Sequence, residues 1–438
     1  MRHDTGSEAR LQPLLRLLGA ASVVLLATTG LGAQTLPIPT LPPETVVPDT
    51  PPPPTPNGPA DQPFAPVAQP RPRGWEYMFG VGAGWESNIE FAQPDGPGGT
   101  VVAPRGELAR IFWSPRGQLR ALVGSRWTAY PDETELNRYY ADFRLDGEYH
   151  TGPHTTWRGE ASYGFGYSDA YPILLQQGVA LPLAKTQVLA GGLSLIQQVA
   201  TRTTLRIDGR IYHAQFDAPI LFNGASIRGT VALERQVGVR NTAALVYAVE
   251  DVLTDEANRT YVTHFGSLQW TRLLSLRSAL LLEGGLSYTA DAATAGLGQK
   301  ESFFGGATYT RKVGPSAVAL FLRREVTPAF GLAISLLETR GGLRVEVPLS
   351  RDWRLHLEGD HTQPDNAQAA GLLGRPPYSD GIFQLVRRIG KTLEVSAETR
   401  YRRRGETSTL GLISSFQAGV FITLTPAGGA KLPPFGLF

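Results

Sequence analysis

The chain has 438 residues, a formal net charge of +2 and only 18% charged residues, so no charge excess draws it to nucleic acid. It contains no cysteine, which excludes a disulfide framework, thiolate zinc sites and cysteine nucleophiles. Its length suffices for one large or two ordinary domains, and glycine (49) and proline (34) are abundant.

Taken from the start, Arg2, Arg10 and Arg16 precede an apolar run over 17–31, and the small residues Gly32 and Ala33 follow it. A basic start, a short apolar stretch and a small-residue cut site predict a secretory signal over 1–33. The run is short for a membrane helix of about 20 residues and is broken by Gly19, Ser22, Thr28, Thr29 and Gly30. Residues 34–73 are dominated by proline, as at Pro51, Pro52, Pro53 and Pro54. Such a segment builds neither core nor helix and is read as a disordered periplasmic linker, a semi-rigid tether with partner docking as its second use.

From residue 74 to 424 the texture changes. About eighteen segments alternate apolar and polar residues, most about ten or more residues long, as a tilted membrane strand requires. The first spans 76–91, with Phe79, Val81, Ala83, Trp85, Ile89 and Phe91 on one face and Gly80, Gly82, Gly84, Glu86, Asn88 and Glu90 on the other. The stretch 118–168 is the clearest. There Tyr139, Ala141, Phe143, Leu145 and Tyr149 oppose Arg138, Asp142, Arg144, Asp146 and Glu148. Arg120, Arg126, Arg158 and Glu160 fall on the polar faces of the two flanking segments.

The same alternation sets Leu205, Ile207 and Ile211 against Arg206, Asp208 and Arg210, and Ile227, Val231 and Leu233 against Arg228 and Glu234. It sets Leu343, Val345 and Val347 against Arg344 and Glu346, and Trp353, Leu355 and Leu357 against Arg354 and Glu358. Leu393, Val395, Ala397 and Tyr401 oppose Glu394, Glu398, Arg400 and Arg402. The segments 260–273 and 378–389 mix apolar residues on both faces. In the last strand, 412–424, Phe416, Ala418, Val420, Ile422 and Leu424 are expected outward, with Ser415, Gln417, Gly419, Phe421 and Thr423 inward.

Connections alternate as well. Short ones fall at 114–117, 151–153, 313–316, 350–352 and 389–391, and longer ones at 92–102, 169–183, 291–298 and 364–375. Turns and loops that take turns along a chain lie at opposite ends of an up-and-down antiparallel barrel. No run after residue 33 is long and apolar enough for a transmembrane helix.

Alternation alone does not say which face meets water; size decides. A barrel of about 16–18 strands is too wide for side chains to fill, so its charged face encloses water and its apolar face meets lipid. Trp127, Tyr130, Tyr139, Tyr149, Trp157 and Tyr167 lie near segment ends, where interfacial girdles are expected. The terminal Phe438 resembles the ending of bacterial outer-membrane barrels. Pro433 and Pro434 keep the tail 425–438 out of a central strand, so it is expected in the periplasm and the assembly signal falls within 419–424.

The segment GVGAGWESNIEF at 80–91, with its glycine-rich strand and Ser87, Asn88 and Ile89, resembles the opening of the porin-2 type of outer-membrane β-barrels. That resemblance spans 75–424 and implies an outer-membrane barrel of a Gram-negative bacterium. Several such proteins are associated with exopolysaccharide production and export. The resemblance implies no catalytic residue.

Searches for chemistry return little. Gly80, Gly82 and Gly84 lie in a strand with no helix after them, so they are read as relief of crowding rather than a dinucleotide fingerprint. The histidines are scattered, with no metal-ligand spacing, and no G-x-S-x-G is present, so neither cofactor nor enzyme is expected. The arginines and carboxylates of the polar faces are the expected pore-lining set. Their functional reading is a field that selects polar or anionic solutes, and the structural one is ion pairs that stiffen the wall. Expected partners are outer-membrane lipid, lipopolysaccharide and the barrel-assembly machinery, with polysaccharide or a periplasmic protein at the linker. A pore is the leading function, and an anchoring barrel of an envelope complex the alternative.

Overall fold

The computed structural model describes residues 74–89, 96–167, 184–219, 221–255, 260–297, 299–329, 334–365, 377–405 and 412–425. The expected signal 1–33, the linker 34–73, most of the tail and Phe91 lie outside these residues.

Eighteen strands form one antiparallel sheet. They are β1 Trp75–Glu86, β2 Gly99–Ser114, β3 Gly117–Thr128, β4 Arg138–Gly152, β5 Thr155–Tyr167 and β6 Lys185–Ala200. Then come β7 Thr203–Phe216, β8 Gly224–Gly238, β9 Asn241–Thr254, β10 Thr260–Ser275, β11 Ser278–Thr289 and β12 Glu301–Val313. The last are β13 Ser316–Ala329, β14 Ile334–Pro348, β15 Trp353–Pro364, β16 Tyr378–Ile389, β17 Leu393–Arg404 and β18 Ile413–Leu424. Each strand pairs with its sequence neighbours, and β1 pairs with β18 from Phe79↔Leu424 to Glu86↔Gln417. The sheet is therefore a closed barrel with no free edge, which is what satisfies every strand's backbone groups without water.

Residues 115–116, 153–154, 201–202, 239–240, 276–277, 314–315, 349–352 and 390–392 make the turns, all at the end where β1 begins and β18 finishes. Gly314 and Gly390 have φ of 60° and 69°, a left-handed conformation that tight turns place on glycine. The longer connections gather at the other end. One carries a single helical turn at Thr134–Leu136.

The outer face is apolar. Phe79 is 55% exposed, and Val81, Val123, Leu193, Leu245, Leu286 and Ile422 are exposed with it, while Glu76, Glu86, Asp208 and Glu398 on the alternate face are buried. Exposed aromatics band the two ends, Trp75, Trp113 and Tyr149 by the turns and Trp85, Trp127, Tyr139 and Tyr288 by the loops. On the same face His264 accepts or donates at 2.8 Å with the Tyr247 hydroxyl and stacks on its ring.

Three expectations need correction. The first strand ends at Glu86, not at Phe91, and β2 already begins at Gly99. Ile89 consequently leaves the outer face: it is buried with Val101 and Tyr130. Tyr130 is no girdle residue either, because the β3–β4 connection turns it inward, where its hydroxyl finds Glu86.

The wall also departs from a simple cylinder. β12 and β13 pair only from Val313↔Ser316 to Gly305↔Arg324, although β12 begins at Glu301 and β13 runs to Ala329. β13 and β14 stay paired to Ala329↔Ile334. The paired ends of this hairpin, 325–329 and 334–338, thus leave the wall and fold into the lumen. Its outward face lands on the inner wall: Val326 and Leu337 are 3% and 6% exposed, whereas Leu322, on the same face of β13 four residues below, is 57% exposed. They join Tyr212, Phe216, Val252, Tyr261 and Phe265, inward residues of β7, β9 and β10, and Ala292, Ala295 and Leu297 of the β11–β12 connection, in one apolar cluster. Ser335 donates its N–H to the Ala295 carbonyl (2.7 Å) and its hydroxyl to the Tyr261 oxygen (2.9 Å).

Candidate functional site

The candidate site is the inner wall. Residues opposite one another in an antiparallel ladder share a face, so the register can be followed around the barrel. Arg120 faces Asp146, which faces Glu160; Arg126 faces Tyr140; Arg144 faces Ser162; and Glu148 faces Arg158. Asp142, beside these on β4, faces Gly124 and Gly164, and Arg138 faces Thr128. Further on, Arg210 faces Arg228, Arg206 faces Ala232, Asp208 faces Thr230 and Glu234 faces Thr204. Arg344 faces Glu358, Glu346 faces His356 and Arg354 faces Val386. Glu394, Glu398, Arg400 and Arg402 face Thr423, Gly419, Gln417 and Ser415 of β18. All the arginines and carboxylates singled out in the sequence therefore share the strand face opposite the exposed apolar residues.

Most of these charges are spent on one another. Arg144 meets Asp142 at 2.9 Å, Arg158 meets Glu148 at 2.7 Å, Arg206 meets Asp208 at 2.8 Å and Arg210 approaches Glu160 to 3.9 Å. Arg344 meets Glu358 at 2.6 Å and Arg354 meets Glu394 at 2.9 Å. Several partners were not singled out: Arg120 pairs with Glu76 (3.4 Å), Arg228 with Glu250 (3.7 Å), Arg400 with Asp380 (2.6 Å) and Arg402 with Glu86 (2.8 Å). Glu86 stood on the polar face of the first segment, and Glu76, where that segment starts, has the same parity. Arg340 and Asp360 (2.8 Å) were missed because the glycines at 341 and 342 blur the pattern beside them. The partly exposed pairs among them, such as Arg158 with Glu148 and Arg344 with Glu358, each contribute about 0–1 kcal/mol.

One knot differs. Glu86 is fully buried, and its carboxylate accepts from Arg402 (2.8 Å), the Tyr130 hydroxyl (2.9 Å), Gln417 and Ser415. Those groups come from β1, β17, β18 and the β3–β4 connection. Beside it the Ser87 N–H donates to the Phe416 carbonyl (2.9 Å), and the Phe416 N–H donates back to the Ser87 hydroxyl (2.8 Å). Arg138 donates to the Ile89 carbonyl (2.6 Å). Ser87 is thus a catch across the seam where the first and last strands meet, and Ile89 ties the end of this stretch to β4. Gly82 serves the same seam: a Cβ there would stand 1.7 Å from the Phe421 ring.

Among the described residues no group of three or more His, Asp or Glu is placed to hold a metal ion. His264 faces outward, while Ser267 faces inward, donating to Glu283 (2.8 Å).

No family model matches the chain, and no curated protein matches its sequence. Among solved structures it is similar to OccK5 (OpdH) of Pseudomonas aeruginosa, with 11% identity and a TM-score of 0.43 over 80% of this chain and 98% of that one. It is also similar to OccAB3 of Acinetobacter baumannii, with 9% identity and a TM-score of 0.42 over 80% and 99%. The siderophore receptor PirA of Pseudomonas aeruginosa gives 8% identity and 0.42 over 81% of each chain. The functional reading rests on this chain's own wall.

Proposed function

We propose that the chain is an outer-membrane barrel of a Gram-negative envelope that forms a water-filled pore for polar or anionic solutes. One observation carries the reading: an 18-strand closed sheet presents its apolar side chains outward and its arginines and carboxylates to the enclosed space. Ionised groups require water or a counter-charge, and exposed aliphatic groups on a closed barrel require lipid. The start of β1 and the finish of β18 lie with the turns, which supports turns on the periplasmic side and loops outside. The barrel-assembly machinery would insert the chain, and lipopolysaccharide would surround the loop end.

Reconstitution in planar bilayers tests the reading. Discrete ohmic conductance steps are expected, and a correctly folded barrel that passes no current overturns it. A second reading is favoured by the hairpin seated in the lumen, which narrows the mouth from one side: an anchoring barrel of an exopolysaccharide or envelope complex. Its expected signature is co-purification of a polysaccharide or periplasmic partner that is lost when residues 34–73 are deleted while the barrel stays folded.

A further inference from the structure

Among the described strands, arginines stand directly opposite one another on the lumen wall at three places. They are Arg105 and Arg126 on β2 and β3, Arg210 and Arg228 on β7 and β8, and Arg323 and Arg340 on β13 and β14. Directly opposed like charges destabilise a sheet. In two of the three places the fold supplies the counter-charge: Glu160 and Glu250 lie 3.9 and 3.7 Å from Arg210 and Arg228, and Asp360 lies 2.8 Å from Arg340. At the third it does not. Neither Arg105 nor Arg126 has a carboxylate within 4 Å among the described residues. Glu107, Glu394 and Glu398 act on Arg105 only from further off, and the last two are engaged by Arg354 (2.9 Å) and Gln384 (3.1 Å).

The pair is nonetheless held in place. The Arg126 guanidinium lies 4.3 Å from the centre of the Tyr140 ring, and Arg105 lies 6.0 Å from that of Phe421 while donating to the Thr423 hydroxyl (2.9 Å). Stacking on a ring occupies the flat face of a guanidinium and leaves its edge donors free for a planar or tetrahedral oxyanion. Gly80, next to Arg105, keeps the approach open, since a Cβ there would come within 3.2 Å of the Arg105 Nε.

We propose that Arg105 and Arg126 form an oxyanion-binding station on the lumen wall, filled by a carboxylate- or phosphate-bearing solute that brings the negative charge this part of the fold leaves out. Two guanidinium forks that share one oxyanion turn their mutual repulsion into attraction for it. This deepens the pore reading and rests on it for how the solute arrives, but the binding itself does not require current to flow.

The test uses the detergent-solubilised full barrel, with glucuronate as the carboxylate probe and inorganic phosphate as the other. In calorimetric titrations the wild type is expected to bind at least one probe, with about a tenfold or greater loss of affinity in R105Q/R126Q, as removal of charge-assisted bonds implies. R126K, which keeps the charge but loses the fork, falls between them, and R116Q, in an exposed turn, is unchanged. Thermal unfolding gives the second readout: the bound probe raises the wild-type midpoint but not that of R126Q, whose probe-free midpoint is at or above the wild type because a repulsion has been removed. No binding of either probe to the wild type, or undiminished binding to R126Q and R105Q/R126Q, overturns the station. Binding with no conductance would sink the pore and keep the station; conductance with undiminished binding in the variants would do the reverse.

Discussion

The two halves of the lumen wall solve the same problem in opposite ways. From β14 through β18 and on to β5 the inward positions carry arginines and carboxylates, most of them neutralised pair by pair, with Arg105 and Arg126 the exception. From β6 to β10, toward the loops, they carry Val188, Tyr212, Phe216, Val252, Tyr261 and Phe265, and the β13–β14 tip lies on them. A charged wall faces water, whereas an apolar wall inside a barrel must be covered by something, and here the chain covers it with its own hairpin. The lesson is that the inner face of such a barrel records what fills it, strand by strand.

The sharpest way to break the charged half is Glu86→Ala. It removes the carboxylate that the buried Arg402 meets at 2.8 Å and opens the seam, and a loss of about 3–5 kcal/mol is expected from chemical unfolding in micelles. The apolar half is probed by Leu337→Ala, expected to cost about 2–5 kcal/mol in the same assay and, by freeing the hairpin tip, to enlarge unit conductance. If conductance does not change, the tip does not narrow the passage. Leu320→Lys contrasts outside with inside. A charge on that lipid-facing position should cost about 2–4 kcal/mol if it lies near the midplane, whereas Thr308→Lys, on the neighbouring strand's lumen face, should cost far less.

The smallest effect belongs to the turn that supports the apolar cluster. Hydrogen bonds from the Thr294 hydroxyl (2.6 Å) and N–H (3.1 Å) hold the exposed Asp291 carboxyl below its ordinary range. A carboxyl whose pKa is depressed on folding contributes fully above the unfolded value and loses that contribution as pH falls through the folded one. The Thr294 amide resonance should therefore be unchanged at neutral pH and shift only below the usual carboxylate range.

Much of this was legible beforehand. Alternation fixed the strands, and the placement of short turns at 114–117, 313–316 and 389–391 fixed their direction. Size then decided which face turned inward. What stayed hidden has physical reasons. The mixed faces of 260–273 looked like a weak strand, but Tyr261 and Phe265 are apolar because they meet the hairpin, not lipid. Val326 and Leu337 kept the period of lipid-facing residues, and only the loss of pairing beyond Gly305↔Arg324 shows that their strands had left the wall. Ile89 was misplaced because periodicity does not reveal where a strand stops. Arg105 was missed because the neighbouring Val101, Ala103 and Ala109, equally inward, hide the polar character of its face.

The catch at Glu86 also sets an order of events. Its arginine comes 316 positions later in the chain, and Ser415 and Gln417 later still, so the earliest strand waits for nearly the whole polypeptide before its partner exists. Until then two unpaired margins are open to any stray extended peptide, and closure by so distant a contact is intrinsically slow. The clasp also sits at the loop end, away from where β1 begins and β18 finishes; on the proposed pore reading it cannot fasten until that end has crossed the bilayer, so fastening would report a finished insertion.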